Sequence, residues 1–143
     1  MFSPLFVQFN PRVGDLEGNR KRLASLLCGA GEFPLALVPE LALTGSPPRD
    51  LLELDGFVAG AEAALHQLAL EVRGCGPVVI GSIARAPDAP GLYNAAWLLQ
   101  GGQARMLGAK QLLPDYDVFD EPRHFAVGAP GEPLMIQGQR VGV

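Results

Sequence analysis

The chain has 143 residues, 48% of them hydrophobic and 18% charged, with a formal net charge of −4 and two cysteines. Size and composition describe one core-rich globular domain and exclude both disorder and a disulfide framework. An acidic balance without a basic stripe excludes nucleic acid as a partner, and no apolar run reaches the ~18 residues of a membrane span.

Met1-Phe2-Ser3-Pro4 carries no basic segment followed by an apolar core, so a cytoplasmic protein with reduced thiols is expected. Leu5 to Phe9 reads as a buried strand, ended by Asn10-Pro11 because proline disfavours the helical region for the residue before it. Asp15 is placed to cap a helix from Leu16 to Ala30, with Leu23, Leu26, Leu27 and Ala30 on its apolar face and Gly29 and Gly31 as stop signals. Leu35 to Val38 is a second strand leading to Pro39-Glu40, and Leu41 to Gly45 carries on into a loop with Pro47-Pro48.

Phe57 to Val72 has Phe57, Ala61, Ala64, Leu65, Leu68 and Val72 at helical spacing. Val78 to Ile83 is a third strand and Pro87 to Gly91 a loop. Tyr93 to Leu99 and Arg105 to Lys110 flank Gly101-Gly102, a hairpin signal. Leu134 to Ile136 and Val141 to Val143 form another strand pair across Gly138. The last residue lies in an apolar segment without a cap or stop signal, so the chain is expected to end short of a natural domain boundary. The order predicts an α/β layered sheet with two helices on one face, the other face lacking an obvious cover.

Two charged residues close apolar strands. Glu40 follows Leu35-Ala36-Leu37-Val38-Pro39, and Lys110 ends the segment before Leu113-Pro114-Asp115-Tyr116-Asp117-Val118-Phe119-Asp120-Glu121. Strand ends are where α/β sheets collect their chemistry. The pair suggests a general base, its pKa raised by desolvation in a closed pocket, and an oxyanion stabiliser. The blander alternatives are an acid that caps a loop and a solvated lysine. Asp115, Asp117, Asp120 and Glu121 lack a histidine at ligand spacing and the pattern of a calcium loop, so no metal is assigned. Glu121 is instead placed to hold Lys110 by a charge-assisted hydrogen bond. Cys28, among helix leucines, and Cys75, in a Gly-Cys-Gly turn, read as core filling, and His66 and His124 have no evident serine or cysteine partner.

With these residues in place, the chain resembles the N-terminal glutamine amidotransferase domain of glutamine-dependent NAD synthetases, within the nitrilase (carbon–nitrogen hydrolase) superfamily. The resemblance rests on Gln8-Phe9-Asn10-Pro11, Pro39-Glu40-Leu41-Ala42-Leu43-Thr44-Gly45, Gly81-Ser82, Tyr93-Asn94-Ala95, Lys110 through Glu121, and Arg140-Val141-Gly142-Val143. Ser46 departs from it, standing where a tyrosine is usual, as do Asp115 and Asp117, where asparagine and glycine are usual, and Gly108-Ala109, where bulkier residues are usual.

The resemblance implies part of a four-layer αββα sandwich and a glutamate–lysine–cysteine triad. Glu40 takes the role of general base, Lys110 that of oxyanion stabiliser, Glu121 that of a supporting glutamate, and Tyr116 binds glutamine. The family's cysteine is expected about three residues beyond Val143, so residues 1–143 form an incomplete glutaminase, inactive alone. The implied partners are L-glutamine, further copies of the chain in a homo-oligomer, and a synthetase domain. ATP and Mg belong to that domain, and no cofactor is expected within these residues. The alternatives are a stand-alone amidase of the same superfamily and a non-catalytic interaction module.

Overall fold

A computed structural model describes residues 2–87 and 91–143. Strand β1 (Leu5–Phe6) is followed by helix α1 (Leu16–Gly29), β2 (Ala36–Val38), α2 (Asp55–Glu71) and β3 (Val78–Arg85). Strands β4 (Leu92–Gln100) and β5 (Gln103–Ala109) come next, then β6 (Leu134–Ile136) and β7 (Gln139–Val141). The first five strands form one sheet in chain order, and β6 pairs with β7. β1, β2 and β3 are parallel, while β4 is antiparallel to β3 and β5 antiparallel to β4. Strand β5 therefore runs in the same direction as β2 and β3, and all three end at one edge of the sheet.

Each helix forms where its sequence marks a start and a buried stripe. The Asp15 carboxylate accepts from the Gly18 N–H at 2.9 Å, capping α1. Asn19, Leu23 and Leu27, four residues apart, line its buried side. Leu26, expected on that side, is exposed, because it lies on the flank of the stripe that Asn19, Leu23 and Leu27 define. Ala30 is the exposed C-cap rather than part of the apolar face. Asn19 reaches across to the Arg12 and Leu43 carbonyls at 2.7 and 2.8 Å, which satisfies its buried amide. In α2 the buried residues are Val58, Ala61, Ala64, Leu65, Leu68 and Ala69. Both helices pack on the face of the sheet that carries Ala36, Val38, Val78, Ile80 and Leu99.

Alternation along the pleat sends Leu35, Val79, Leu98 and Leu107 to the opposite face. There Leu134 and Ile136 of β6 cluster with them. The second face thus has a partial cover that the sequence reading did not foresee: a hairpin too short to signal a layer by itself. Helices, the five-stranded sheet and a facing two-stranded sheet give three successive parts of an α/β sandwich.

Several boundaries differ from expectation. Strand β1 stops at Phe6 rather than Phe9, although the Val7 N–H still donates to the Leu37 carbonyl at 2.9 Å. Strand β7 is Gln139–Val141, not Val141–Val143. A two-residue turn with Gln137 and Gly138 at φ 47° and 76° pairs Ile136 with Gln139 at once, which leaves no room for a longer loop. Arg49–Glu53 forms a 3-10 turn before α2 in a segment read only as loop. Of the expected loop from Pro87 to Gly91, residues 88–90 lie outside the described residues.

Candidate functional site

The topology determines which residues meet. Glu40 follows β2 and Lys110 follows β5, and both strands end at the same edge of the sheet. Strand β4 starts there, with Asn94 opposite Ile83 of β3. Residues 70 positions apart therefore converge: the Lys110 ammonium donates to Glu40 Oε1 at 2.8 Å and to Glu121 Oε1 at 3.0 Å. Asn94, buried in β4, donates through its amide Nδ2 to the same oxygen of Glu40.

Backbone contacts fix each member. The Lys110 N–H donates to the Asn94 carbonyl at 2.8 Å, and the Gly128 N–H to the Lys110 carbonyl at 3.0 Å. Glu40 is seated on β3 by two bonds that flank it: the Gly81 N–H donates to the Pro39 carbonyl at 3.2 Å, and the Gly81 carbonyl accepts from the Ala42 N–H at 3.1 Å. A Cβ on Gly81 would lie 2.4 Å from Glu40 Cα, so only glycine admits this approach. Glu121 opens a short 3-10 turn, its N–H donating to the Pro114 carbonyl at 3.1 Å. The turn is tied down by Phe125, which is buried and bridges to Leu92. The second carboxylate oxygen of Glu121 is buried and has no hydrogen-bond partner among the described residues.

Charge balance favours a cationic lysine. Burial works against the Lys110 ammonium, but the hydrogen bonds to Glu40 and Glu121 outweigh it and raise its pKa above the ordinary lysine value of 10.5. Lys110 is then a charged donor throughout the neutral range. The Glu40 side chain is 51% exposed and those of Lys110 and Glu121 31% and 15%. The closed, desolvating pocket expected around Glu40 is therefore not what surrounds it. The neighbours of its carboxylate are an amide, an ammonium group and an open cavity.

That cavity, of about 500 Å³, is lined by Glu40, Asn94, Lys110, Gly81, Pro130 and Val143 among others. Tyr116 stands outside it. The tyrosine is 67% exposed and lines a neighbouring cavity that shares Lys110, Gln111 and Leu112 with the first. Its ring meets Phe119 edge-on at 5.7 Å. Asp117, where a glycine is usual, adopts φ 57°, the left-handed region that aspartate tolerates better than most residues. Gly108, likewise a departure, lets the backbone of Gly131 pass where its Cβ would lie, 2.7 Å from the Gly131 nitrogen.

Other polar groups group elsewhere. Asp50, Glu53 and His124 lie within 4.8 Å of one another, but the Arg123 guanidinium bonds both carboxylates at 3.3 and 3.2 Å and compensates their charge. Cys28 is exposed rather than part of the core, and Cys75 sits beside it. Both stand at the start of the parallel strands, the sheet edge opposite to Glu40, and neither lines its cavity.

Sequence reasoning named Glu40, Lys110 and Glu121, which the fold brings together, and Tyr116, which it holds one cavity away. It gave no role to Asn94 or Gly81. The available signal was a buried-type polar residue and a glycine inside otherwise apolar strands.

Known proteins share this sequence pattern and fold. A glutamine-dependent NAD(+) synthetase from Synechocystis is 36% identical over 150 residues, covering 100% of this chain and 27% of that protein. The structure of a glutamine-dependent NAD+ synthetase from Acinetobacter baumannii, with ADP, superposes with a TM-score of 0.87 at 29% identity, over 99% of this chain and 27% of that one. An amidase from Nesterenkonia sp. AN1 has the same fold, with a TM-score of 0.72 at 21% identity over 97% of this chain and 55% of its own. The chain spans about a quarter of the length of the curated relatives it matches. The carbon-nitrogen hydrolase pattern itself matches residues 6–129, most of the 143, and the chain belongs to that family.

Proposed function

We propose that this chain supplies the acid–base and oxyanion groups of a glutaminase, releasing ammonia from the glutamine side chain for the ATP-dependent amidation of deamido-NAD to NAD. The observation that carries the reading is Lys110 held between Glu40 and Glu121 beside an open cavity. The relatives named glutamine-dependent NAD(+) synthetases suggest the substrate.

In this reading Glu40 takes the proton of a cysteine thiol, and the thiolate attacks the carboxamide carbon. The carbonyl oxygen gains negative charge and is met by the Lys110 ammonium. Glu40 returns the proton to the leaving nitrogen, ammonia departs, and a thioester remains. Water deprotonated by Glu40 then cleaves the thioester to glutamate. Glu121 keeps the ammonium aimed, and Tyr116 contacts glutamine from the adjoining cavity.

The thiol is assigned to a cysteine following Val143, since Cys28 and Cys75 lie at the far edge of the sheet and Val143 lines the cavity. ATP and Mg act in the synthetase domain, with no cofactor held by these residues. The protein works in the cytoplasm as a homo-oligomer.

The test is ammonia release from glutamine by the 143-residue chain and by a form extended beyond Val143. The extended form should be active and the shorter one inert. Glu40→Gln and Lys110→Ala in the extended form should each lower kcat by roughly 100-fold or more with an unchanged circular dichroism spectrum. Ammonia release by the short chain would overturn the assignment of the nucleophile. Preference for another aliphatic amide would identify an amidase instead.

A further inference from the structure

Cys28 and Cys75 take no part in the site described above. Cys28 is the penultimate residue of α1 and is exposed, while Cys75 is partly buried in the turn between α2 and β3. Their sulfur atoms are 3.5 Å apart although 47 residues separate them in sequence. Neither position is loosely held. The Cys75 N–H donates to the Val72 carbonyl at 2.9 Å, and the Arg20–Glu71 ion pair ties α1 to the end of α2 near both thiols. Leu23 and Leu27 of α1 share one core with Leu65, Leu68 and Val72.

We propose that Cys28 and Cys75 form a thiol–disulfide exchange site that accepts low-molecular-weight disulfides and closes into an intramolecular disulfide. A disulfide needs its sulfurs about 2 Å apart, a shift within reach of side-chain rotation from the observed separation. Cys28, as its thiolate, attacks one sulfur of the small disulfide, forms a mixed disulfide and releases the first small thiolate. Cys75, as its thiolate, then attacks the Cys28 sulfur and expels the second. Two protein thiols are oxidised, one small disulfide is reduced to two thiols, and the two protein protons end on them.

The order follows from access. Burial raises the Cys75 thiol pKa, and its hydrogen bond with Cys28 adds to the rise, so the first attack falls to exposed Cys28. The product links the end of α1 to the turn after α2, at the sheet edge away from Glu40 and Lys110. It therefore acts on stability rather than on the site.

The test is incubation of the full chain with oxidised glutathione, thiol blocking and non-reducing peptide mapping. The expected result is a Cys28–Cys75 cross-linked peptide, reversed by dithiothreitol, with Tm raised by roughly 5–15 °C. Cys75→Ser should stop at a glutathione adduct on Cys28, and Cys28→Ser should leave Cys75 unmodified. A stable glutathione adduct on Cys28 in the unsubstituted chain, beside a free Cys75, would overturn the proposal. So would two thiols that both stay free.

Discussion

Asn94 joins the two halves of the site. Its side-chain amide donates to Glu40 Oε1, and its backbone carbonyl accepts from the Lys110 N–H at 2.8 Å. Glu40 is the half-exposed member, so without this amide its carboxylate keeps one fixed partner, Lys110, and gains rotamers pointing into solvent. On the proposed function, Asn94→Ala in the form extended beyond Val143 should lower kcat for glutamine hydrolysis by roughly 10–100-fold with a smaller change in KM, because a base held off its productive geometry loses rate more than binding. Stability should fall by about 1–3 kcal/mol in urea titration. Asn94→Asp should be the more damaging change, since it sets a second carboxylate against Glu40. Equal losses for Glu40→Gln alone and for the Asn94→Ala, Glu40→Gln pair would show that Asn94 acts through Glu40. Strictly additive losses would contradict that. Glu40 and Lys110 were legible because each closes an apolar strand, and Glu121 because its motif spacing from Lys110 resembles the family's. Asn94 was not: a polar residue inside a strand does not announce which neighbour it will face, and that is fixed only by pairing with β3 and β5.

At the scale of elements, the site depends on β3 letting another backbone pass over it. Gly81 makes that possible, with Glu40 Cα only 2.4 Å from where a Cβ would stand and the Leu41 nitrogen at 3.0 Å. Both obstructing atoms are backbone, so rotamer changes cannot relieve the clash. Gly81→Ala should cost about 1–3 kcal/mol of stability, read by thermal or urea unfolding, and, on the proposed function, should reduce glutamine hydrolysis by the form extended beyond Val143 more than that loss of folded protein explains. Gly74→Ala, where nothing lies within 4 Å, is the matched control and should leave activity unchanged. The elements themselves were largely readable. The Asp15 cap, the spacing of Ala61, Ala64, Leu65 and Leu68, and Gly101-Gly102 each carry their own local physics. What escaped was set by partners. Phe9 falls outside β1 because β2, which pairs with β1, ends at Val38, short of the position that would face it. The offset of β7 follows from a two-residue turn whose geometry only the pairing of Ile136 with Gln139 reveals.

For the whole molecule, the exposed apolar side chains are unevenly placed. Leu112 at 86%, Tyr116, Val118, Phe119, Val127, Met135 and Val143 all lie in the last quarter of the chain, around the site and the second face of the sheet. The helix face carries fewer, such as Leu26 and Leu70. A sheet face covered only by a short hairpin, next to an apolar rim, is a surface that water does not favour leaving bare. The 143-residue chain should therefore self-associate through this side. Light scattering should give a mass above 15.1 kDa that rises with protein concentration. The doubly substituted Leu112→Ser, Met135→Ser chain should shift the distribution toward monomer, and Leu26→Ser with Leu70→Ser on the helix face should not. None of these four side chains belongs to the buried core, so the substitutions act on the surface and leave Tm within a few degrees. A mass of one chain across a wide concentration range would mean that the rim and hairpin satisfy the second face by themselves. The exposed Leu112 beside Lys110 would then be free to meet substrate instead of another subunit.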